Sequence, residues 1–410
     1  MAQLGTRTAG ETQTDRHIAM VEEHSAHNYA PLPVVIARGE GCWVTDVDGD
    51  KYLDMLSAYS AVNFGHNHTE IREAFTRQAH TLTLTSRAFH NDQFGPFCEL
   101  ITSITGYDMV LPMNTGAEAV ETALKTARRW GYEVKGVEEN KAEIICCTSN
   151  FHGRTITVIS FSDDPCNGPF GPFTPGFRLV KYGAADALET AITPNTVGFL
   201  VEPIQGEGGI NIPPDGYLTK CREICTKHNV LMMADEIQTG LARTGKLFAV
   251  QHENVRPDVL ILGKALGGGV MPVSAVLADK EIMGVFDPGS HGSTFGGNPL
   301  ACAVAMAALT ILTRDNYADR AAELGTPFIE RLKTIKSPLI KEVRGRGLLI
   351  GIELKPEAGG AKKFCKKLKE EGILCKESHD HVIRIAPPLI IEQKDLDWAF
   401  ERIKRVLEEA

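Results

Sequence analysis

Two apolar stretches decide the fold, Val230-Leu-Met-Met-Ala-Asp-Glu-Ile-Gln-Thr-Gly240 and Val259-Leu-Ile-Leu-Gly-Lys-Ala-Leu-Gly-Gly-Gly269. The first apolar run ends at a carboxylate, Asp235, and the second ends just before an amine, Lys264, which has glycines nearby on both sides. Short apolar runs that stop at glycine or a polar residue are typical of buried strands in a parallel sheet. Ligands of such sheets bind beyond the carboxyl ends of the strands. We therefore expect Asp235 and Lys264 at one ligand-binding edge.

The segments around these stretches continue the alternation of strand and helix. Apolar runs predict further strands over Ala142–Thr148 and Thr196–Val201, and periodic spacing predicts a helix over Ala117–Tyr132. Together they indicate an α/β domain with a mainly parallel central sheet. Beyond residue 300 the pattern predicts a smaller α+β domain, built from Ala301–Thr313, Tyr317–Ile335, Gly347–Leu354, His381–Ile385 and a final helix from Lys394.

The beginning of the chain predicts a separate N-terminal segment. Residues 1–25 indicate an arm or a short helix, and Trp43–Leu53 places an Asp-Gly turn between apolar residues, as in a hairpin. We therefore divide the chain into an N-terminal segment (residues 1–59), a large domain (60–304) and a small C-terminal domain (305–410).

Composition excludes several classes of function. The chain has 410 residues and a formal net charge of −9, so it has no global basic field that would attract nucleic acid. No apolar stretch is long enough for a membrane span, and residues 1–15 lack the apolar core of a secretory signal. We expect a cytoplasmic enzyme, or one of the mitochondrial matrix if a presequence is missing from this sequence. The 10 cysteines are then expected to be reduced.

Two motifs that could mislead carry no chemistry. Residues 240–247 nearly spell a nucleotide-binding P-loop, but Leu247 stands where the motif needs a serine or threonine. His66 and His68 have metal-ligand spacing without a third ligand, so no metal site is predicted.

The chemistry of Lys264 and Asp235 has two interpretations. A lysine in a desolvated site can lose its proton and form a Schiff base with an aldehyde. The same two residues could also form an ordinary structural ion pair. The full spacing favours the first interpretation, because the segments around Asp235 and Lys264 together resemble the signature of the class III aminotransferases.

The resemblance covers residues 24 to 407 and is closest to the members of that family that use ornithine. It is carried by His27–Val34, Ser57–Asn63 and Thr85–Phe89. It implies the fold type I of pyridoxal-phosphate enzymes, with a large domain whose central sheet is mainly parallel and a smaller α+β domain.

The resemblance also implies how pyridoxal 5'-phosphate is held. Lys264 would bind the cofactor covalently and later move a proton between substrate and cofactor, while Asp235 would keep the pyridine nitrogen protonated. The remaining contacts implied are Gln238 at the phenolic oxygen, Phe151 stacked on the ring, the amides of Gly116 and Ala117 at the phosphate, and Ser293 with Thr294 at the phosphate across a dimer interface. Residues 114–119 suit a phosphate because they open a predicted helix, although an ordinary helix cap has the same pattern.

Five further residues are implied in substrate binding. Tyr29 and Tyr59 would meet the α-end of ornithine, and Arg154 would grip a distant carboxylate. Arg384 would bind the carboxylate next to the reacting carbon of 2-oxoglutarate, and Glu207 would mask Arg384 while the amine donor reacts. The expected reaction is transfer of the δ-amino group of ornithine to 2-oxoglutarate by a homodimer or a higher even oligomer. Acetylornithine or 4-aminobutyrate as the donor, or a non-catalytic cofactor-binding scaffold, are the alternatives.

Overall fold

The computed structural model describes residues 12–409, so the first eleven positions of the predicted N-terminal arm lie outside the described residues. The strands are β1 (Ile36–Glu40), β2 (Trp43–Asp46), β3 (Lys51–Asp54), β4 (Met109–Met113), β5 (Glu143–Cys147), β6 (Phe177–Val180), β7 (Thr196–Val201), β8 (Leu231–Asp235), β9 (Val259–Leu262), β10 (Ser274–Ala278), β11 (Ile340–Arg346), β12 (Leu349–Leu354), β13 (Ile373–Leu374), β14 (Lys376–Ser378) and β15 (Val382–Ile385). The helices are α1 (Gln13–His24), α2 (Ser57–Ser60), α3 (Thr69–Ala79), α4 (Phe94–Thr105), α5 (Gly116–Trp130), α6 (Ile156–Ile159), α7 (Ala185–Ala191), α8 (Tyr217–Lys227), α9 (Lys280–Met283), α10 (Pro299–Arg314), α11 (Tyr317–Leu332), α12 (Lys362–Glu370) and α13 (Gln393–Glu408).

The central sheet has the order β4-β10-β9-β8-β7-β5-β6. Strands β9, β8, β7, β5 and β6 run parallel, and β10 is antiparallel to both of its neighbours. The mainly parallel sheet expected from the sequence is thereby confirmed. Side chains alternate between the two faces, so that Met232 and Ala234 enter one apolar core and Met233 enters the other. Burial on both faces explains why these strands are apolar throughout.

A smaller sheet joins the two ends of the chain. The predicted hairpin is present as β2 and β3, and β1 extends it on one side. On the other side β3 pairs in parallel with β13, through Leu53 with Ile373 and Asp54 with Leu374. The N-terminal segment is therefore completed by a strand that the chain supplies some 320 residues later.

The C-terminal sheet has the order β11-β12-β15-β14. Helix α10, which begins with Asn298 as its N-cap, runs without interruption across the predicted domain boundary at residue 304. The division into residues 1–59, 60–304 and 305–410 stays a prediction. No helix within residues 12–409 is both long and apolar enough to cross a membrane.

The short turn α2 is left-handed. Its residues Ser57, Ala58, Tyr59 and Ser60 have φ values of 45°, 47°, 59° and 70°. A left-handed backbone costs roughly 1–2 kcal/mol for each residue that is not glycine, so tertiary contacts must hold this turn in place. One of them is Asp54, whose carboxylate accepts hydrogen bonds from the Leu56 and Ser57 amides at 2.9 and 2.8 Å.

Arg243 anchors the same turn from the large domain. Its guanidinium is fully buried and donates to Ser57 Oγ at 3.2 Å and to the carbonyls of Leu348 and Pro387 at 2.9 and 2.6 Å. Burial lowers the pKa of Arg243 to about 9. Three distant parts of the chain meet at this one side chain, so the turn that carries Tyr59 is fixed relative to both domains.

Candidate active site

The carboxyl ends of the parallel strands meet at a cavity of about 210 Å³. Strands β7, β8 and β9 are neighbours, and each ends in a segment that reaches this cavity. The sequence-predicted residues that line it are Gly116, Ala117, Phe151, Glu207, Asp235, Gln238 and Lys264. Seven residues dispersed over 149 positions of the sequence therefore share one small space, because strand direction brings them there.

Asp235 is held in the cavity by a histidine. Its carboxylate lies 2.6 Å from Nδ1 of His152 and also accepts a hydrogen bond from the Ile237 amide at 3.1 Å. Both side chains are buried, and Nε2 of His152 has no hydrogen-bond partner among the described residues. Burial alone favours a neutral imidazole, but the hydrogen bond and charge of Asp235 raise the pKa of His152 above its usual value. The carboxylate is thus fixed in a dry environment, as a partner for a protonated ring nitrogen needs to be.

Lys264 follows β9 with a left-handed backbone, at a φ of 43°. Burial, together with the nearby charge of Arg384, lowers the pKa of Lys264. A lowered pKa increases the fraction of free amine, which is the form that attacks a carbonyl. The position and the protonation state of Lys264 therefore suit a covalent attachment point.

Helix α5 begins at the cavity. Thr115 caps it, with its side chain accepting from the Glu118 amide at 3.2 Å, while the Glu118 carboxylate accepts from the Thr115 amide at 2.7 Å. The next amides, those of Gly116 and Ala117, have no acceptor inside the helix and lie at its positive end. This arrangement is suited to an anionic group such as a phosphate.

Glu207 and Arg384 form a two-fold ion pair at the other side of the cavity. The Glu207 carboxylate accepts from Nη1 and Nη2 of Arg384 at 2.6 and 2.8 Å and from Gln238 Nε2 at 3.1 Å. Burial alone would raise the pKa of Glu207, but the charge and hydrogen bonds of Arg384 bring it down to about 2. Arg384 is 1% exposed, so nearly all of its accessible surface is covered while this pair is formed.

The two tyrosines lie beyond Arg384. The guanidinium carbon of Arg384 is 5.0 Å from the centre of the Tyr59 ring. Tyr59 and the exposed Tyr29 both line a second cavity of about 550 Å³, which also includes Lys376. Tyr59 therefore separates this second cavity from the ion pair.

The other predicted residues are at the rim or outside it. Phe151 lies at the rim, with its amide donating to Glu202 at 2.9 Å, and the exposed Arg154 stands 5.7 Å from the Phe151 ring centre. Ser293 and Thr294 do not line the cavity: Ser293 accepts from Asn114 at 2.9 Å, and Thr294 is exposed.

Sequence reasoning missed two residues of the site, His152 and Glu202. Glu202 follows β7 directly and lines the cavity, where burial, reinforced by the charge of Asp235, raises its pKa to about 7. The rule that singled out Asp235, a polar residue at the end of an apolar run, also applies to Glu202. His152 follows Phe151 in a loop after β5, and only the fold places it against Asp235.

The cavity fits pyridoxal 5'-phosphate. It offers an amine with a lowered pKa, a buried carboxylate, an aromatic side chain at its rim and the start of a helix for the phosphate. The amide oxygen of Gln238 is buried there without a hydrogen-bond partner among the described residues. An unpartnered polar atom in a closed site indicates that the site is built to receive a polar ligand.

Comparisons with known proteins agree with this interpretation. The family model for aminotransferase class-III matches residues 24–407. The ornithine aminotransferase of Bacillus subtilis (strain 168) is 60% identical over 394 residues, which covers 96% of this chain and 98% of that protein.

Two solved structures are similar over nearly the whole chain. An ornithine aminotransferase from Toxoplasma gondii, with PLP at partial occupancy in its active site, is 47% identical, with a TM-score of 0.95 and coverage of 98% of each chain. An acetylornithine aminotransferase from Elizabethkingia anophelis is 54% identical, with a TM-score of 0.90, covering 97% of this chain and 99% of that one. On these grounds the chain belongs to the class-III aminotransferase family.

Proposed function

We propose that this protein is a pyridoxal-phosphate-dependent ornithine aminotransferase. It transfers the δ-amino group of L-ornithine to 2-oxoglutarate, giving glutamate and glutamate 5-semialdehyde, which cyclises to pyrroline-5-carboxylate. The observation that carries the proposal is the masking of Arg384 by Glu207, whose side chain lines the same cavity as Lys264. An enzyme that must accept a terminal amine and reject α-amino acids needs its carboxylate-binding arginine covered while the donor reacts.

Five residues of the cavity have a role in the chemistry of this reaction. Lys264 supplies the amine that attaches the cofactor and later carries a proton, and its lowered pKa suits both tasks. Asp235 has a buried carboxylate, oriented by His152, that would stabilise the protonated ring nitrogen of the cofactor. When bound, the cofactor supplies the electron sink that stabilises negative charge on the substrate carbon. Gln238 lines the cavity and would orient the phenolic oxygen of the cofactor ring. Phe151 would stack on the face of that ring.

The remaining predicted residues bind substrates and the phosphate. Tyr59 and Tyr29 orient the α-end of ornithine, and Arg154 binds a carboxylate distant from the reacting carbon. The backbone N–H groups of Gly116 and Ala117 would donate hydrogen bonds to the phosphate. Ser293 and Thr294 contribute to the site of a second subunit in a homodimer, which agrees with the exposure of Thr294 and its place outside the cavity of its own chain. The cytoplasmic location expected from the sequence, with the mitochondrial matrix as the alternative, stays a prediction.

Amino-donor profiling of the holoenzyme tests the proposal. With 2-oxoglutarate as the acceptor, we expect kcat/KM for L-ornithine to exceed that for N-acetyl-L-ornithine and 4-aminobutyrate by at least about tenfold, the effect of one well-placed polar contact. If kcat/KM is higher for either rival donor, that donor and not ornithine is the preferred substrate.

A second candidate donor, acetylornithine, has one observation in its favour. The second cavity beside Tyr59 is lined mainly by apolar side chains and has room for an acyl group. In our proposal the free α-amine of ornithine forms hydrogen bonds with Tyr29 and Tyr59. An acylated amine has fewer N–H groups to donate to these tyrosines. The same profile separates the two donors.

Removing the mask tests the role of Glu207. In Glu207→Ala, Arg384 is uncovered and free to bind an α-carboxylate, so we expect kcat/KM for an α-amino acid to rise relative to L-ornithine by about tenfold or more. L-Norvaline is a matched probe because it has the carbon chain of ornithine without the δ-amine. An unchanged ratio would count against Glu207 as a gate.

A further inference from the structure

Glu207 lies in a loop between β7 and α8 that we call the gate loop, residues 202–211. We infer that Ser378 is a positioning residue that fixes the gate loop so that Glu207 stays on Arg384, and that it thereby contributes to donor specificity. The inference rests on the proposed masking of Arg384, and the experiment below separates a failure of one from a failure of the other.

Ser378 holds the backbone at the gate residue itself. Its hydroxyl lies 2.9 Å from the carbonyl oxygen of Gly206 and 2.8 Å from that of Glu207, and it donates to them. Ser378 is 2% exposed and Gly206 is buried as well, so water has little access to the contact between them. A hydroxyl has one proton to donate, and here both nearby acceptors belong to the gate loop.

The hairpin of β14 and β15 carries Arg384 and also contacts the gate loop at Glu207. Ser378 lies on β14, which pairs with β15, and its register partner Val382 is two residues from Arg384. Arg384 is part of β15, and Glu207 is tied to β14 through Ser378. The separation of carboxylate and guanidinium is therefore set by one rigid hairpin in addition to their mutual attraction.

The gate loop also packs tightly against the side chain of Gln238. A Cβ atom added at Gly206 would lie 1.5 Å from Oε1 of Gln238, so the backbone already touches that side chain. Gly206 therefore contacts both Gln238 and Ser378. Loss of the Ser378 hydroxyl would take this donor from both carbonyls. That of Gly206 would keep the amides of Gly209 and Ile210, whereas we expect the backbone at Glu207 to relax towards the vacated space.

Arg344 fixes the far end of the gate loop. It donates to the carbonyls of Gly209 and Ile210 at 2.6 and 2.9 Å. Ser378 and Arg344 thus hold the middle and the far end of the gate loop, so we expect Arg384 to be uncovered for 2-oxoglutarate by rotation of the Glu207 side chain. Ser378 fixes the backbone position from which the Glu207 side chain rotates.

The test compares kcat/KM for L-norvaline with kcat/KM for L-ornithine in the holoenzyme. In Ser378→Ala we expect the norvaline-to-ornithine ratio to rise by about threefold to tenfold, the effect of one buried hydrogen bond. Ser378→Thr keeps the hydroxyl and is expected to restore the ratio. Thr196→Ala removes another buried hydroxyl, which accepts from the Thr193 amide at 2.9 Å at the start of β7, and is expected to leave the ratio unchanged.

A double-variant cycle shows whether Ser378 acts through Glu207. In the Glu207→Ala background, Ser378→Ala is expected to have no further effect on the ratio. Independent, additive effects would overturn the inference, as would an unchanged ratio in Ser378→Ala when Glu207→Ala raises it. An unchanged ratio in Glu207→Ala itself would overturn the masking proposal instead. If Ser378→Ala does not fold, Ser378→Cys, with its weak S–H donor, is expected to raise the ratio, and a ratio like that of the unaltered enzyme would overturn the inference.

Discussion

Glu202 and Glu207 lie in the same loop, yet their surroundings move their pKa values in opposite directions. Burial raises the pKa of Glu202 to about 7, and the guanidinium of Arg384 holds that of Glu207 at about 2. At neutral pH, Glu207 is therefore ionised and paired, while Glu202 is about half protonated. The ion pair with Arg384 keeps Glu207 charged, whereas burial favours the neutral form of Glu202 in the same cavity.

The raised pKa of Glu202 predicts how stability depends on pH. Its folded-state pKa exceeds the reference value of 4.5, so the stability it contributes is present below pH 4.5 and lost as pH rises through about 7. Glu202→Gln cannot ionise. We expect the difference in free energy of unfolding, unaltered enzyme minus Glu202→Gln, to fall by about 1–3 kcal/mol between pH 5 and 8.

Denaturant titrations at several pH values, at one protein concentration, measure this difference. Glu99→Gln, which changes an exposed carboxylate on α4, is the matched control and provides the baseline. A difference for Glu202→Gln that stays constant or grows over this range would mean that Glu202 is ionised throughout.

Lys264 is the residue on which catalysis depends most directly. Lys264→Ala removes the amine that attaches the cofactor and carries the proton, so we expect turnover with ornithine to fall by at least about a thousandfold. Lys246→Ala, at the exposed lysine of the P-loop-like segment, is the matched control and should keep full activity. Retained transamination by Lys264→Ala would place the essential amine elsewhere and would favour the structural ion-pair interpretation of Lys264.

At the scale of elements, the sequence predicted what apolar runs and periodic spacing encode. Strands β5, β7, β8 and β9 and helix α5 lie within two residues of their predicted ends, because each buries a continuous run or a complete helical face. The cofactor residues follow from the ends of these elements and from the family resemblance. The tyrosines, Arg154 and the gate were assigned from the resemblance alone.

Other elements carry no such signal. Strand β4 contains a proline, and β13 has 2 residues, so neither forms a recognisable pattern. The left-handed turn α2 contains no glycine, which is the residue that would have indicated a positive φ. Its conformation is imposed by Asp54 and Arg243, and such distant contacts are not visible in a local stretch of sequence.

The packing of α11 on the turn between β11 and β12 requires a glycine. A Cβ atom added at Gly325 would lie 2.0 Å from the carbonyl oxygen of Gly347. That turn cannot retreat, because a Cβ at Gly347 would itself lie 2.4 Å from the Thr244 backbone. We expect Gly325→Ala to lower the free energy of unfolding by about 1–3 kcal/mol, despite the better helix propensity of alanine.

Chemical denaturation of Gly325→Ala measures this effect, and the neighbouring exposed Thr326→Ala is its control, expected within about 0.5 kcal/mol of the unaltered enzyme. Equal stability of both variants would show that α11 can move away from the turn.

At the scale of the whole molecule, the described chain leaves large aromatic side chains uncovered. Tyr29, Phe89 and Phe295 are 71%, 74% and 53% exposed. Aromatic side chains are enriched at protein–protein interfaces, so we expect such a contact to cover some of them. Phe295 is adjacent to Thr294, the residue proposed to reach the phosphate site of a second subunit. A shared interface would therefore bury Phe295 and bring Thr294 to that phosphate site.

Mixing two inactive variants tests for a shared site. Lys264→Ala lacks the amine, and Thr294→Arg blocks the contact made in the neighbouring subunit. After the two proteins are unfolded and refolded together, each mixed dimer has one intact site, so we expect about a quarter of the full activity to return. Refolding each variant alone is the control. If mass spectrometry shows mixed dimers but no activity returns, Thr294 contributes to the site of its own chain.

The pairing of β3 with β13 has a consequence for biosynthesis. Leu53 and Asp54 leave the ribosome long before Ile373 and Leu374, with about 320 residues between them. At about 5–20 residues per second, the edge of β3 waits roughly 15–60 seconds for its partner. During that time its backbone donors and acceptors are open to other nascent chains, so slowed translation should increase aggregation of this protein until its last domain emerges.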